Sequence, residues 1–109
     1  MIMRKLKNKK SEDKDIYIMD NADSLSIFLK LKNMLSGMNK ADFIDKRMKM
    51  ERSSGYNYLV GRRLPNYNLL IELCNNLGYE VALIPKVLLK DLEVTTYEEE
   101  RGIILEKTK

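Results

Sequence analysis

The chain has 109 residues, with 20 Lys and Arg against 16 Asp and Glu, 44% hydrophobic residues, one Cys, and no His or Trp. That length holds one domain around one modest core, and without histidine the chain lacks both the usual proton-transfer group near neutral pH and the commonest metal ligand. One cysteine forms neither an internal disulfide nor a thiolate zinc site, so the composition implies an intracellular, cytoplasmic protein without metal or cofactor, and not an enzyme. The longest apolar run, Val81-Ala82-Leu83-Ile84, is far short of the ~20 residues of a membrane span. The basic start runs into Ser11-Glu12-Asp13 where a signal peptide would turn apolar.

The net charge of +4 conceals opposing blocks: +5 over residues 1–10, −4 over 11–24, +6 over 25–65 and −3 over 66–109. The middle block carries nine bases against Asp42, Asp45 and Glu51. Such segregation is expected of a polyanion-binding face with an acidic remainder.

In chain order, residues 1–15 are polar and lysine-rich and read as a basic flexible arm outside the core. Residues 15–20 read as a short strand. From Ser24, capped by itself or Asp23, the spacing of Leu25, Phe28, Leu29, Leu31, Met34 and Leu35 predicts a first helix, closed by Gly37. Asn39 is expected to cap a second helix over 40–48, with Phe43, Ile44 and Met48 inward. A third is expected from Ser53 or Ser54 to Gly61, despite the ~1 kcal/mol helix cost of Gly55. A fourth runs from Tyr67 to Leu77, where Leu70, Ile71, Leu73, Cys74 and Leu77 form the apolar face and Gly78 ends the element. Residues 79–84, rich in branched and aromatic side chains and stopped by Pro85, read as a strand. In the tail, 93–97 and 102–105 read as strands, or Thr96-x-x-Glu99 opens a short helix as a capping box.

Gly61-Arg62-Arg63-Leu64-Pro65 resembles the Gly-Arg-Arg-x-Pro loop that follows the recognition helix in the lambda-repressor-like, or XRE-family, helix-turn-helix proteins. The helix from Pro65 to the closing Leu77-Gly78 is similar to the family's next helix without gaps, and the resemblance covers about residues 25–78. It implies a mainly α fold: a four-to-five-helix lambda-repressor-like domain over 16–78, with a short C-terminal strand or hairpin extension over 79–109. Three positions depart from the family pattern. Gly55 stands at an apolar position of the recognition helix, Leu59-Val60 replaces the glutamate usual before Gly61, and Lys49 stands at the turn glycine. Counting forward from Gly37 gives a register different by one residue.

Carried over residue by residue, the resemblance implies base contacts from Arg52, Ser53 and Asn57, with Arg suited to guanine and Asn to adenine in a major groove. It puts Lys40, Arg62 and Arg63 on phosphates, and Lys49 joins them as a phosphate candidate. Lys46 and Arg47 read as surface charges. Tyr56 and Tyr58 are candidates for stacking on sugars or bases, with one of them expected instead to pack against the first helix, and Cys74 is expected to be structural. The seven methionines, among them Met34, Met38, Met48 and Met50, read as core filler.

The expected function is that of a sequence-specific transcriptional regulator, a phage or mobile-element repressor, binding double-stranded DNA as a dimer on a palindromic operator. The homodimer is expected to join through Val81, Leu83 and Ile84 of the predicted strand. The alternative is a protein-binding module on the same fold, an antitoxin or a phage-encoded inhibitor of a host protein. Its partner would meet the acidic C-terminal segment with Asp91, Glu93, Glu98, Glu99, Glu100 and Glu106.

Overall fold

The computed structural model describes residues 2–6, 16–90, 94–101 and 103–107. The chain divides into two compact units, residues 1–28 with 84–109, and residues 29–83.

The first unit is built on a four-stranded antiparallel sheet in the order β2-β1-β3-β4, from β1 (Ile2–Leu6), β2 (Ile16–Ile18), β3 (Val94–Glu100) and β4 (Ile103–Lys107). Successive side chains on a strand point to opposite faces. Met3, opposite Tyr97, and Lys5, opposite both Tyr17 and Thr95, therefore share one face. Met3, Thr95 and Tyr97 are buried there, and the Tyr17 ring meets Phe28 edge-on at 5.2 Å. Arg4 lies on the opposite face. Its Nε and Nη2 donate to Asp20 at 2.7 and 2.6 Å, and this hydrogen-bonded pairing raises the guanidinium pKa further. β3 and β4 are joined by a two-residue loop in which Arg101 takes positive φ (51°), and the sequence supplies glycine at the second position, as tight hairpins require.

The chain is thus α+β, not mainly α with a short C-terminal strand extension. The expected arm is corrected with it. Residues 2–6 form an interior strand, while 7–15 lie outside the described residues. β1 carries no polar–apolar alternation, since Met3 and Lys5 share one face and Arg4 lies on the other, and its partner β3 comes from the other end of the chain, beyond the reach of local periodicity. β2 matches the strand expected at 15–20. Of the tail residues expected as strands, 94–97 and 103–105 are strands, while 93 and 102 lie outside the described residues, and the helical capping-box alternative fails because Thr95, Thr96 and Tyr97 pair with β1 on one side while Thr96 and Tyr97 also pair with β4 on the other.

Helix α1 (Ser24–Ser36) starts in the first unit and ends in the second. Leu25, Phe28, Leu29 and Leu31 are buried, as their spacing implies, but Met34 and Leu35 in its last turn are exposed. Gly37 follows with φ 72°, the left-handed conformation expected of it. Asn33 turns inward and donates to the Met38 carbonyl at 2.9 Å, fixing the connection to the next helix.

That helix, α2, runs from Lys40 to Asp42 as an α-helix and continues as a wider π-helical stretch over Phe43–Met48. It is followed by α3 (Arg52–Leu59) and α4 (Tyr67–Asn76). Among the described residues, Phe43, Ile44, Met48, Leu59, Leu73, Cys74 and Leu77 are the buried apolar side chains of this unit beside those of α1. α4 closes in a Schellman motif, with Gly78 N–H bonded to Asn75 O and Tyr79 N–H to Cys74 O.

The strand expected at 79–84 is not formed. These residues have no regular structure, Val81, Leu83 and Ile84 are exposed, and only a single 3₁₀ turn, Lys86–Leu89, follows. Branched residues favour strands only where a neighbour and a half-buried surface exist, and neither is supplied to this segment.

Candidate nucleic-acid interface

Asn39 starts the site by accepting the Asp42 N–H on its side-chain oxygen at 2.8 Å, which sets Lys40 at the first turn of α2. The π-winding then carries Phe43, Ile44 and Met48 inward. At its end the amides of Lys49 and Met50 both donate to the Ile44 carbonyl. Lys49 takes φ 57° and ψ 51°, a left-handed conformation that a side chain adopts only at a cost. Asn76 of α4 donates to the Met48 carbonyl at 3.0 Å, satisfying an acceptor left open at the helix end and tying α4 to the turn. A cavity of about 230 Å³ lies beside this turn, between Met50, Ser54 and the Leu69, Leu73 and Asn76 face of α4.

Glu51 is extended, and α3 begins at Arg52, so the N-cap is Glu51 rather than Ser53 or Ser54. Ser53 Oγ instead donates to Glu51 Oε1 at 2.6 Å. Gly55 is buried against α2, where an added Cβ would overlap Ile44 Cγ2. α3 ends as α4 does: Gly61, with φ 82°, bonds back to Tyr58 O, and the amides of Arg62 and Arg63 converge on Asn57 O at 2.9 and 3.3 Å. In the turn before α3 the left-handed residue is Lys49, and the glycine buried within α3 is Gly55.

This backbone brings the expected contact residues onto one short stretch of helix and its flanks. Arg52 and Ser53 are exposed at the start of α3, Asn57 is half-buried one turn on, and Lys40, Lys49, Arg62 and Arg63 are exposed around them. Lys40 and Arg62, distant in sequence, meet at one aromatic ring: Lys40 Nζ lies 5.9 Å and Arg62 Cζ 5.7 Å from the Tyr56 ring centre. Sequence reasoning missed this arrangement. Tyr56 carries no motif signal, and nothing local links it to Lys40. Among the described residues none of Lys40, Lys46, Arg47, Lys49, Arg52, Arg62 and Arg63 is held in an ion pair.

The charge division follows the fold. Residues 29–83 contain nine Lys and Arg against five Asp and Glu, whereas the other unit has eleven of each, so the whole excess of +4 belongs to the helical unit. Of the acidic C-terminal residues, Glu98 and Glu99 are half-buried and Glu100 and Glu106 exposed in the sheet, while Asp91 and Glu93 lie outside the described residues. Cys74 is buried in the helical unit, and burial raises its thiol pKa. No helix of the described residues is long and apolar enough to cross a membrane.

No family model, curated protein or solved structure matches the chain.

Proposed function

We propose that this protein binds double-stranded DNA through α3, as a sequence-specific regulator. The observation that carries the reading is the exposed N-terminal end of α3, where Arg52 and Ser53 face solvent after a left-handed turn, with Lys40, Lys49, Arg62 and Arg63 exposed at its flanks. A helix presented end-first fits a major groove about 12 Å wide, and cations beside it neutralise phosphates on the groove walls. Arg52 and Asn57 read base edges, Ser53 takes part once released from Glu51, and the flanking bases set register and supply affinity. The similarity of Gly61 to Pro65, and of the helix after it, to the XRE-family pattern supports the same role.

One such motif covers one half-site, so a palindromic operator requires two copies. Val81, Leu83 and Ile84 are exposed apolar side chains and provide the contact between them as an irregular segment rather than as a strand. The protein acts as a repressor of phage or mobile-element type by occupying its operator.

A second reading, a protein-binding module of the antitoxin or inhibitor kind, takes support from the exposed Leu64 and Tyr67 beside α3 and from the apolar Val87 and Leu88. A mobility-shift titration against the upstream region of its own gene, with random-sequence duplex as competitor, separates the two. A shift resistant to competitor supports DNA recognition. No shift even at low salt moves the assignment to protein binding.

A further inference from the structure

We propose that Lys40, Tyr56 and Arg62 form one composite backbone-binding site, in which Tyr56 is a positioning residue that holds the two cations ready for the phosphates of a DNA strand. The proposal deepens the DNA-binding reading above and rests on it.

Both cations lie within 6 Å of one ring centre, at 5.9 and 5.7 Å, and neither is in an ion pair among the described residues. Two like charges held beside one ring repel each other unless something attracts both. The negative face of an aromatic ring does so, and a phosphate completes the arrangement.

The backbone on either side is fixed independently of the ring. Asn39 caps the turn that carries Lys40, and the Arg62 amide is held to Asn57 O at 2.9 Å. Only the long side chains remain to be ordered, and ordering them before contact lowers the entropy lost on binding. Tyr56 is 37% exposed and its ring is already engaged by cations, so stacking on a base would require displacing them. Its use is therefore sequence-independent.

Binding of a random-sequence duplex, read by fluorescence anisotropy over a range of salt, tests this in the full chain. Tyr56→Leu is expected to weaken binding roughly fivefold, the size expected from losing two exposed cation–π contacts, while leaving the melting temperature and the salt slope near those of the parent. Tyr56→Phe, which keeps the ring and removes the hydroxyl, is expected to bind as the parent does. Lys40→Ala and Arg62→Ala are each expected to lower the slope of log affinity against log salt by about one. If those two variants lower the slope but Tyr56→Leu binds like the parent, or if Tyr56→Phe loses as much as Tyr56→Leu, the positioning role is overturned and the DNA-binding reading stands. If neither Lys40→Ala nor Arg62→Ala changes affinity or slope, the DNA-binding reading of this face fails, and the proposal with it.

Discussion

Ile44 of α2 occupies the space that any side chain at Gly55 of α3 would need, with Cγ2 overlapping an added Cβ and Ile44 Cβ 3.3 Å from it. The contact sets how closely the two helices approach. Glycine in α3 is therefore not a weak point in an otherwise good helix but the condition for its packing.

Gly55→Ala is expected to destabilise the protein by about 1–2 kcal/mol, because overpacking costs ~1–3 kcal/mol and outweighs the ~1 kcal/mol gained in helix propensity. Urea unfolding checks it. In an Ile44→Ala background, where the obstructing methyl is gone, the same substitution is expected to be neutral or stabilising. A loss of equal size in both backgrounds would show that Ile44 is not the reason for the glycine.

The turn before α3 separates stability from function. Lys49 sits in a left-handed conformation at φ 57°, which disfavours side-chain-bearing residues by ~1–2 kcal/mol and which glycine adopts freely. Lys49→Gly is expected to raise stability by about 1 kcal/mol while lowering affinity for DNA and reducing the salt slope by about one. Thermal melting and anisotropy on the same sample report both quantities. A variant neither more stable nor weaker in binding would remove any functional reason for keeping lysine there.

Much of the helical unit was legible because its signals are local. Asn39, Gly37, Gly61 and Gly78 mark helix ends with side-chain caps and left-handed residues, and Phe43, Ile44, Met48 and Leu73 keep helical spacing. The sheet was not legible to the same degree. β1 has no polar–apolar alternation, with Met3 and Lys5 on one face, and its pairing with β3 joins opposite ends of the chain. At Tyr79 to Ile84 branched residues without a neighbouring strand stayed irregular, so composition there indicated apolar surface and not its form. Of the candidate site, the individual bases could be named from the Gly61 to Pro65 resemblance, but the meeting of Lys40 and Arg62 at Tyr56 depends on tertiary placement that no spacing encodes.

Arg52 and Asn57 are expected to confer discrimination. Arg52→Ala and Asn57→Ala should each reduce preference for the operator over random duplex by ~1–3 kcal/mol while preserving most binding to random DNA. Competition titrations at a fixed salt concentration measure the ratio. Equal losses on both duplexes would reassign these side chains to the backbone.

Arg62 and Arg63 should behave in the opposite way. Each alanine variant is expected to weaken binding to every sequence alike and to reduce the salt slope by about one, since a phosphate contact releases counterions without reading a base. Both side chains are exposed and sit on amides fixed to Asn57 O, so the substitutions leave the fold undisturbed. Unchanged slopes in both would exclude phosphate contact at this loop.

Leu83 is 99% exposed, in an irregular segment between Val81 and Ile84, each 41% exposed. Three neighbouring apolar side chains in contact with water favour burial by association, and a fully buried leucine contributes ~1.5–3 kcal/mol. A symmetric dimer counts that gain twice, because each copy presents the same segment to the other. Leu83→Asp removes the gain and places two carboxylates opposite each other. It makes no change inside the fold, since the side chain touches almost nothing in its own chain. Light scattering is therefore expected to find a dimer for the parent and a monomer for the variant, with identical circular dichroism. The variant should also lose the advantage of a two-half-site operator over a single half-site. A parent that is a monodisperse monomer at micromolar concentration, yet still protects a full palindrome, would rule out this segment as the dimer contact and leave DNA to bring the two copies together.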